Sequence, residues 1–115
     1  MYKYKAKVRR FIDGDTYELM IDLGLDTYVV RKVRLLGIDT PETWRPSCEE
    51  ERKRGIEATA FVTKEIGGKD IYIETTKQGK YGRYLCTVTY DENKDLTEEL
   101  IKAGFEKPES YNDLT

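Results

Sequence analysis

The chain has 115 residues, 20 basic against 22 acidic, for a formal net charge of −2, and it contains no histidine. One domain is expected at that length. The missing histidine excludes Ser–His and Cys–His nucleophilic sites, histidine acid–base catalysis and histidine-ligated metal centres.

Residues 2–12 alternate. Lys3, Lys5, Lys7 and Arg9 fall on one face and Tyr2, Tyr4, Ala6 and Val8 on the other, which predicts a half-buried strand. Asp13-Gly14-Asp15 is a turn signal, so residues 16–23 return as a second strand. Gly24 interrupts, and residues 27–36, rich in Val, Leu, Thr and Tyr, form a third. Residues 37–53 read as a loop containing Pro41, Trp44 and Pro46. A helix is expected over 54–66, where Ala58, Phe61, Val62 and Ile66 make an apolar stripe that Gly67-Gly68 stops. Ser47 with Glu50 offers a capping box and an earlier start. Gly55 favours the later start, which is the expectation. Residues 70–75 and 83–90 are two further strands, flanking the glycine-containing loop Lys77–Gly82. Asp91–Lys94 is a turn. Asp95 with Glu98 caps a short helix that presents Leu96, Leu100 and Ala103 on one side and ends at Gly104. Residues 105–115 read as coil.

The order β-β-β-α-β-β-α predicts an α+β, mainly β, single domain over residues 1–115. It matches a five-stranded Greek-key barrel of the oligonucleotide/oligosaccharide-binding (OB) type, with a helix between strands 3 and 4 and a short helix after strand 5. No apolar run approaches the ~18 residues of a membrane span, and nothing near Met1 resembles a secretory apolar region. Cys48 and Cys86 cannot close a structural zinc site alone, suggest no disulfide framework and fix no compartment. No Walker-type phosphate loop is present. Catalysis would therefore run on carboxylates, Lys, Arg, Tyr or a metal held by oxygen.

Two acidic clusters stand out, Asp13-Gly-Asp15-Thr16 and Asp39-Thr40-Pro-Glu42. Each alone is ordinary turn chemistry. Jointly they offer the oxygen donors a hard divalent cation takes, because adjacent strands bring the start of strand 2 and the end of strand 3 together. Arg34 lies in the apolar run Val33-Arg-Leu-Leu36, where alternation is also satisfied by a solvated outer face. Arg83 opens strand 5 and reads equally as surface charge. A guanidinium fork near carboxylates suits a phosphate. Nine tyrosines are present, most of them amphipathic cover for a small barrel. Tyr81, between Lys80 and Gly82, can instead stack on a base. Cys86 reads as a buried filler.

Four blocks carry a family resemblance: Phe11-Ile-Asp13-Gly-Asp15-Thr16; Val33-Arg34-Leu-Leu-Gly-Ile-Asp39-Thr40-Pro-Glu42-Thr43; Gly55-Ile-Glu-Ala-Thr-Ala-Phe61; and Lys80-Tyr81-Gly82-Arg83. In order and spacing they resemble the staphylococcal, thermonuclease-type nuclease family, from about Lys7 to Gly104. The resemblance implies the barrel-plus-helices fold. It implies Asp15, Asp39 and the carbonyl of Thr40 as calcium ligands, Glu42 as general base on a water, and Arg34 and Arg83 on the phosphate. It places Asp13 behind the ligands, and Lys80 and Tyr81 against the nucleotide. Tyr111 is the nearest match to a further family tyrosine, off by one and beyond Pro108.

The implied activity is hydrolysis of DNA and RNA with little sequence preference, leaving 3′-phosphate products. The alternative is a nuclease-like module that binds nucleic acid or protein without cleaving. A degenerate module would lack some of Asp15, Arg34, Asp39, Glu42 and Arg83, and this chain has all five. Larger family members continue into a further helix where this chain stops at Thr115. A monomer is expected, with a dimer as the alternative if the missing helix leaves a face exposed. The slightly acidic balance departs from the basic character common in the family and weakens attraction to long polyanions.

Overall fold

The computed structural model describes residues 2–43, 46–78 and 84–108. Strand β1 (Tyr2–Asp13) runs antiparallel to β2 (Thr16–Asp22), which pairs with β3 (Tyr28–Leu35). Helix α1 (Glu49–Ile66) then crosses to β4 (Ile71–Gln78) and β5 (Tyr84–Tyr90), followed by a two-residue strand β6 (Lys94–Asp95) and helix α2 (Leu96–Lys102). The sheet order is β3-β2-β1-β4-β5-β6, and a parallel pairing of Val33–Leu35 with Tyr84–Cys86 closes it. The result is the expected mainly-β, OB-type barrel of five strands with two helices; β6 extends the predicted turn at 91–94.

The alternation in β1 sorts as expected. Lys3, Lys5 and Lys7 are exposed, Ala6 is buried, and Tyr4 and Val8 are half-buried. A bulge between Val8 and Arg10 shifts the register, so Arg9 and Arg10 both face solvent and Phe11 turns inward. Its ring meets Tyr17 edge-on at 5.6 Å. The barrel interior holds Ala6, Tyr17, Leu19, Ile21, Val33, Leu35, Ile71, Ile73, Cys86 and Val88. Helix α1 closes over it with Ala58, Val62 and Ile66, and α2 with Leu96 and Leu100. Cys86 is fully buried, which pushes its thiol pKa up to about 12 and makes it the inert filler its position suggests.

Helix α1 corrects one expectation. It begins at Glu49, not at residue 54, and its N-cap is Cys48, whose sulfur accepts the Glu51 N–H; the Ser47–Glu50 capping box does not form. Glu49, Glu50 and Glu51 suit the positive end of the helix dipole. Gly55 lies inside the helix, and the reason is contact rather than initiation. A Cβ there would stand 2.9 Å from the backbone carbon and oxygen of Glu42 and 2.8 Å from Thr43 Cγ2. The glycine lets the preceding loop lie directly on the helix. The cap of α2 forms as read, with Asp95 accepting the Glu98 N–H at 3.1 Å.

Candidate active site

The β1–β2 turn and the loop after β3 meet at one end of the barrel. Tyr17 fixes the turn from below by donating its buried hydroxyl to the Gly14 carbonyl. The Leu35 N–H bonds the Asp15 carbonyl at 2.9 Å and ties the turn to β3. Register places Thr16 opposite Arg34, so the side chains of Asp15 and Arg34 become neighbours. Arg34 therefore does not lie on a freely solvated outer face. One nitrogen, Nη2, donates to Asp15 Oδ2 at 3.3 Å and to Asp39 Oδ1 at 2.9 Å.

Asp15 is nearly buried and also accepts the Thr40 N–H at 3.1 Å and the Thr16 hydroxyl at 2.9 Å. Burial raises its pKa, against the Thr40 amide, Arg34 and Thr16, which lower it. Asp39 stands at the rim with its side chain 59% exposed. Asp13 holds the loop from behind: its Oδ1 accepts the Thr43 N–H at 3.1 Å and the Thr43 hydroxyl at 2.8 Å. The carboxylate of Glu42 is half-buried and bonds nothing among the described residues. Burial first, then the charges of Glu51, Asp13 and Asp39, raise its pKa against the pull of Lys107.

Two residues that matter here carry no sequence signal read above, Glu51 and Lys107, and Ser47, read there as a capping partner of Glu50, bonds Glu51 instead. Glu51 is fully buried. Its Oε1 accepts the Ser47 N–H at 2.6 Å and the Ser47 hydroxyl at 2.8 Å. Its Oε2 accepts the Glu42 N–H at 3.0 Å and lies 3.0 Å from Lys107 Nζ. Burial raises the Glu51 pKa, but these donors outweigh it and hold the carboxyl at about 2. One signal was available. The buried positions of α1 are 51, 55, 58, 62 and 66, so the apolar stripe extended backwards falls on Gly55 and then Glu51.

Of the other predicted residues, Thr40 is fully buried in the loop, while Lys80, Tyr81, Arg83 and Tyr111 lie outside the described residues. Among the described residues no three acidic, Cys or His side chains cluster to hold a metal. Asp15 and Asp39 nonetheless converge on a single nitrogen of Arg34, so their oxygens already frame one cationic position. The hydroxyl oxygen of Thr40, next to Asp39 in the chain, is buried and finds no partner among the described residues. Two hard anionic oxygens with a buried polar residue next to them fit a hard divalent cation, with the remaining positions taken by carbonyl and water.

One end of the small OB-type barrel thus carries two carboxylates that converge on an arginine, with a separate glutamate on the same loop. The chain belongs to the staphylococcal nuclease homologue family, whose model matches residues 32–113. It is 33% identical to a thermonuclease of Staphylococcus hyicus over 91% of its length and 59% of that protein's. It is 32% identical to the uncharacterized protein MJ1439 of Methanocaldococcus jannaschii, over 89% and 58% of the two chains. A third relative, the SPbeta prophage-derived endonuclease YokF of Bacillus subtilis, is 35% identical over 83% of this chain and 31% of its own. The chain thus spans little more than half the length of the first two. No helix among the described residues is long and apolar enough to cross a membrane.

Proposed function

We propose that this chain is a calcium-dependent nuclease that hydrolyses phosphodiester bonds of DNA and RNA with little sequence preference and leaves 3′-phosphate products. The observation that carries the reading is the convergence of Asp15 and Asp39 on Arg34, with the Glu42 carboxylate, which has no hydrogen-bond partner among the described residues, on the same loop. Nuclease-named relatives support it.

Asp15, Asp39 and the Thr40 carbonyl would hold the cation, which when bound supplies Lewis-acid charge to a phosphate oxygen. The chain's own residues do the rest. A phosphodiester is an anion, so an attacking water approaches negative charge. Arg34 offsets that charge, and Arg83 is assigned the same role on its motif. Glu42 orients the water and takes its proton, and its raised pKa makes it a better base than an ordinary glutamate. The water oxygen bonds phosphorus, the bond from phosphorus to the 5′-oxygen breaks, and solvent protonates that oxygen. The products are a 3′-phosphate and a 5′-hydroxyl. Tyr81, Lys80 and Tyr111 are the candidates for contacts to the bases and flanking phosphates.

End analysis of labelled oligonucleotides tests the reading. DNA and RNA strands incubated with the protein and calcium should both yield fragments with 3′-phosphate and 5′-hydroxyl ends. Intact strands, or 5′-phosphate ends, would contradict it and favour the binding-module alternative or a different chemistry.

A further inference from the structure

We infer that Glu51 and Lys107 are positioning residues: together they clasp the loop 39–47 and set where Asp39 and Glu42 stand. The inference rests on the nuclease reading of those two carboxylates. Side-chain contacts hold neither firmly: Asp39 is more than half exposed and bonded by its side chain to Arg34 at 2.9 Å, and Glu42 makes no side-chain hydrogen bond among the described residues. Their placement therefore depends on how the main chain of the loop is held.

The main chain is gripped at three points by two residues. One oxygen of Glu51 accepts the Glu42 N–H at 3.0 Å, and the other accepts the Ser47 N–H at 2.6 Å, so a single carboxylate holds the main chain at both Glu42 and Ser47. Lys107 approaches from the irregular segment after α2. Its side chain is 11% exposed and reaches Glu51 Oε2 at 3.0 Å. Its own N–H bonds the Asp39 carbonyl at 2.6 Å. Phe105, two residues earlier, seats that segment on α1 through Phe61, ring centroids 5.4 Å apart.

A stability role alone does not account for this choice of residues. Replacing a buried ion pair by packed apolar groups is often neutral or stabilising. A carboxylate earns its place where several backbone donors must be collected at one point. No neutral isostere does that here. If glutamine kept its oxygen on Ser47, its amide group would turn N–H donors toward the Glu42 N–H and the lysine. The grip at Glu42 would then be lost while the helix remained. Displacement of a reacting group by about 1 Å costs on the order of 10²-fold in rate.

The test is steady-state cleavage of a single-stranded DNA oligonucleotide with calcium by wild type, Glu51→Gln and Lys107→Met. Lysine to methionine keeps much of the buried stem, so it serves if the glutamine variant does not fold. Circular dichroism fixes the folded fraction, and amide hydrogen exchange reports on residues 39–47. Folded variants should lose about 10- to 100-fold in kcat with KM within about threefold. The Glu42 and Ser47 amides should exchange faster while barrel amides stay protected. A folded variant with kcat within threefold of wild type overturns the inference, as does a loss that only follows the unfolded fraction. If wild type itself does not cleave, the nuclease reading has failed and the positioning role falls with it, which the wild-type measurement makes plain.

Discussion

Glu51 accepts the backbone N–H of Glu42 at 3.0 Å from a position nine residues further along the chain, inside the first turn of α1 and fully buried. A charged side chain thus occupies the end of the helix's core stripe. It is tolerated because Ser47, Glu42 and Lys107 supply four donors to its two oxygens. The loop it holds carries Glu42 and, three residues before it, Asp39, so loop conformation and helix packing are one structure here.

Acid should loosen that structure first. The Glu51 carboxyl has an ordinary pKa of 4.5 and is held at about 2 in the fold. A depressed carboxylate pKa stabilises the fold above the unfolded value and loses that contribution as pH falls through the folded value. At ~1.36 kcal/mol per unit the shift corresponds to about 3 kcal/mol. Chemical denaturation should show stability falling between about pH 5 and pH 2, and the slope should flatten in Glu51→Gln. A wild-type profile that is flat over that window would contradict the assignment.

Gly55→Ala should destabilise despite a better helix former. Alanine gains about 1 kcal/mol over glycine in a helix interior. Its Cβ would stand 2.9 Å from the Glu42 main chain, and overpacking of that kind costs about 1–3 kcal/mol. The melting temperature should drop, and catalytic turnover should fall further than stability alone explains, because the displaced atoms belong to Glu42. A raised melting temperature with normal turnover would show that the loop yields freely.

How the sequence was legible follows from the same residues. The strand periods of β1 to β3, the Asp95 cap and the apolar stripe of α1 are local signals, and the strands, α2 and the C-terminal end of α1 stand where they indicate. The juxtaposition of Asp15 with Asp39 was legible because it depends only on adjacent strands. The start of α1 was misplaced because Gly55 reads locally as a helix breaker. Its real constraint is the backbone of Glu42, thirteen residues earlier in sequence. Glu51 and Lys107 were missed for the converse reason. Both look like solvated charges, and only the tertiary fold brings them to 3.0 Å from one another. The register that puts Arg34 between two carboxylates likewise appears only once Thr16 is paired with it.

Arg34→Lys should separate catalysis from ion binding. Lysine keeps the charge, and one nitrogen suffices for the contacts to Asp15 and Asp39, but it loses the planar fork that would bond a phosphate bidentately. Turnover in single-turnover cleavage should fall by about 10²–10³. Calcium affinity, measured by calorimetry, should stay within a few-fold. Removing the charge altogether, in Arg34→Met, should tighten calcium binding while cleavage is lost, since a cation no longer competes for the two carboxylates. Cleavage by the folded lysine variant within a few-fold of wild type would make Arg34 an ordinary surface cation.

The two ligand candidates should differ in stability though not in activity. Asp39 is exposed, so Asp39→Ala should change stability by no more than about 0.5 kcal/mol. Asp15→Ala leaves the buried Thr40 N–H without its acceptor and should cost about 1–3 kcal/mol. Urea denaturation of both variants checks this. Equal losses would mean that the Asp15–Thr40 bond does not hold the loop.

The most direct measurement is cleavage of a defined single-stranded DNA oligonucleotide by purified protein, with calcium and then with excess chelator, run beside Asp39→Ala and Glu42→Gln prepared identically. The account predicts cleavage by wild type in calcium, its loss in chelator, and its loss in both folded variants. Undiminished cleavage in chelator, or cleavage by either folded variant at the wild-type rate, would contradict it.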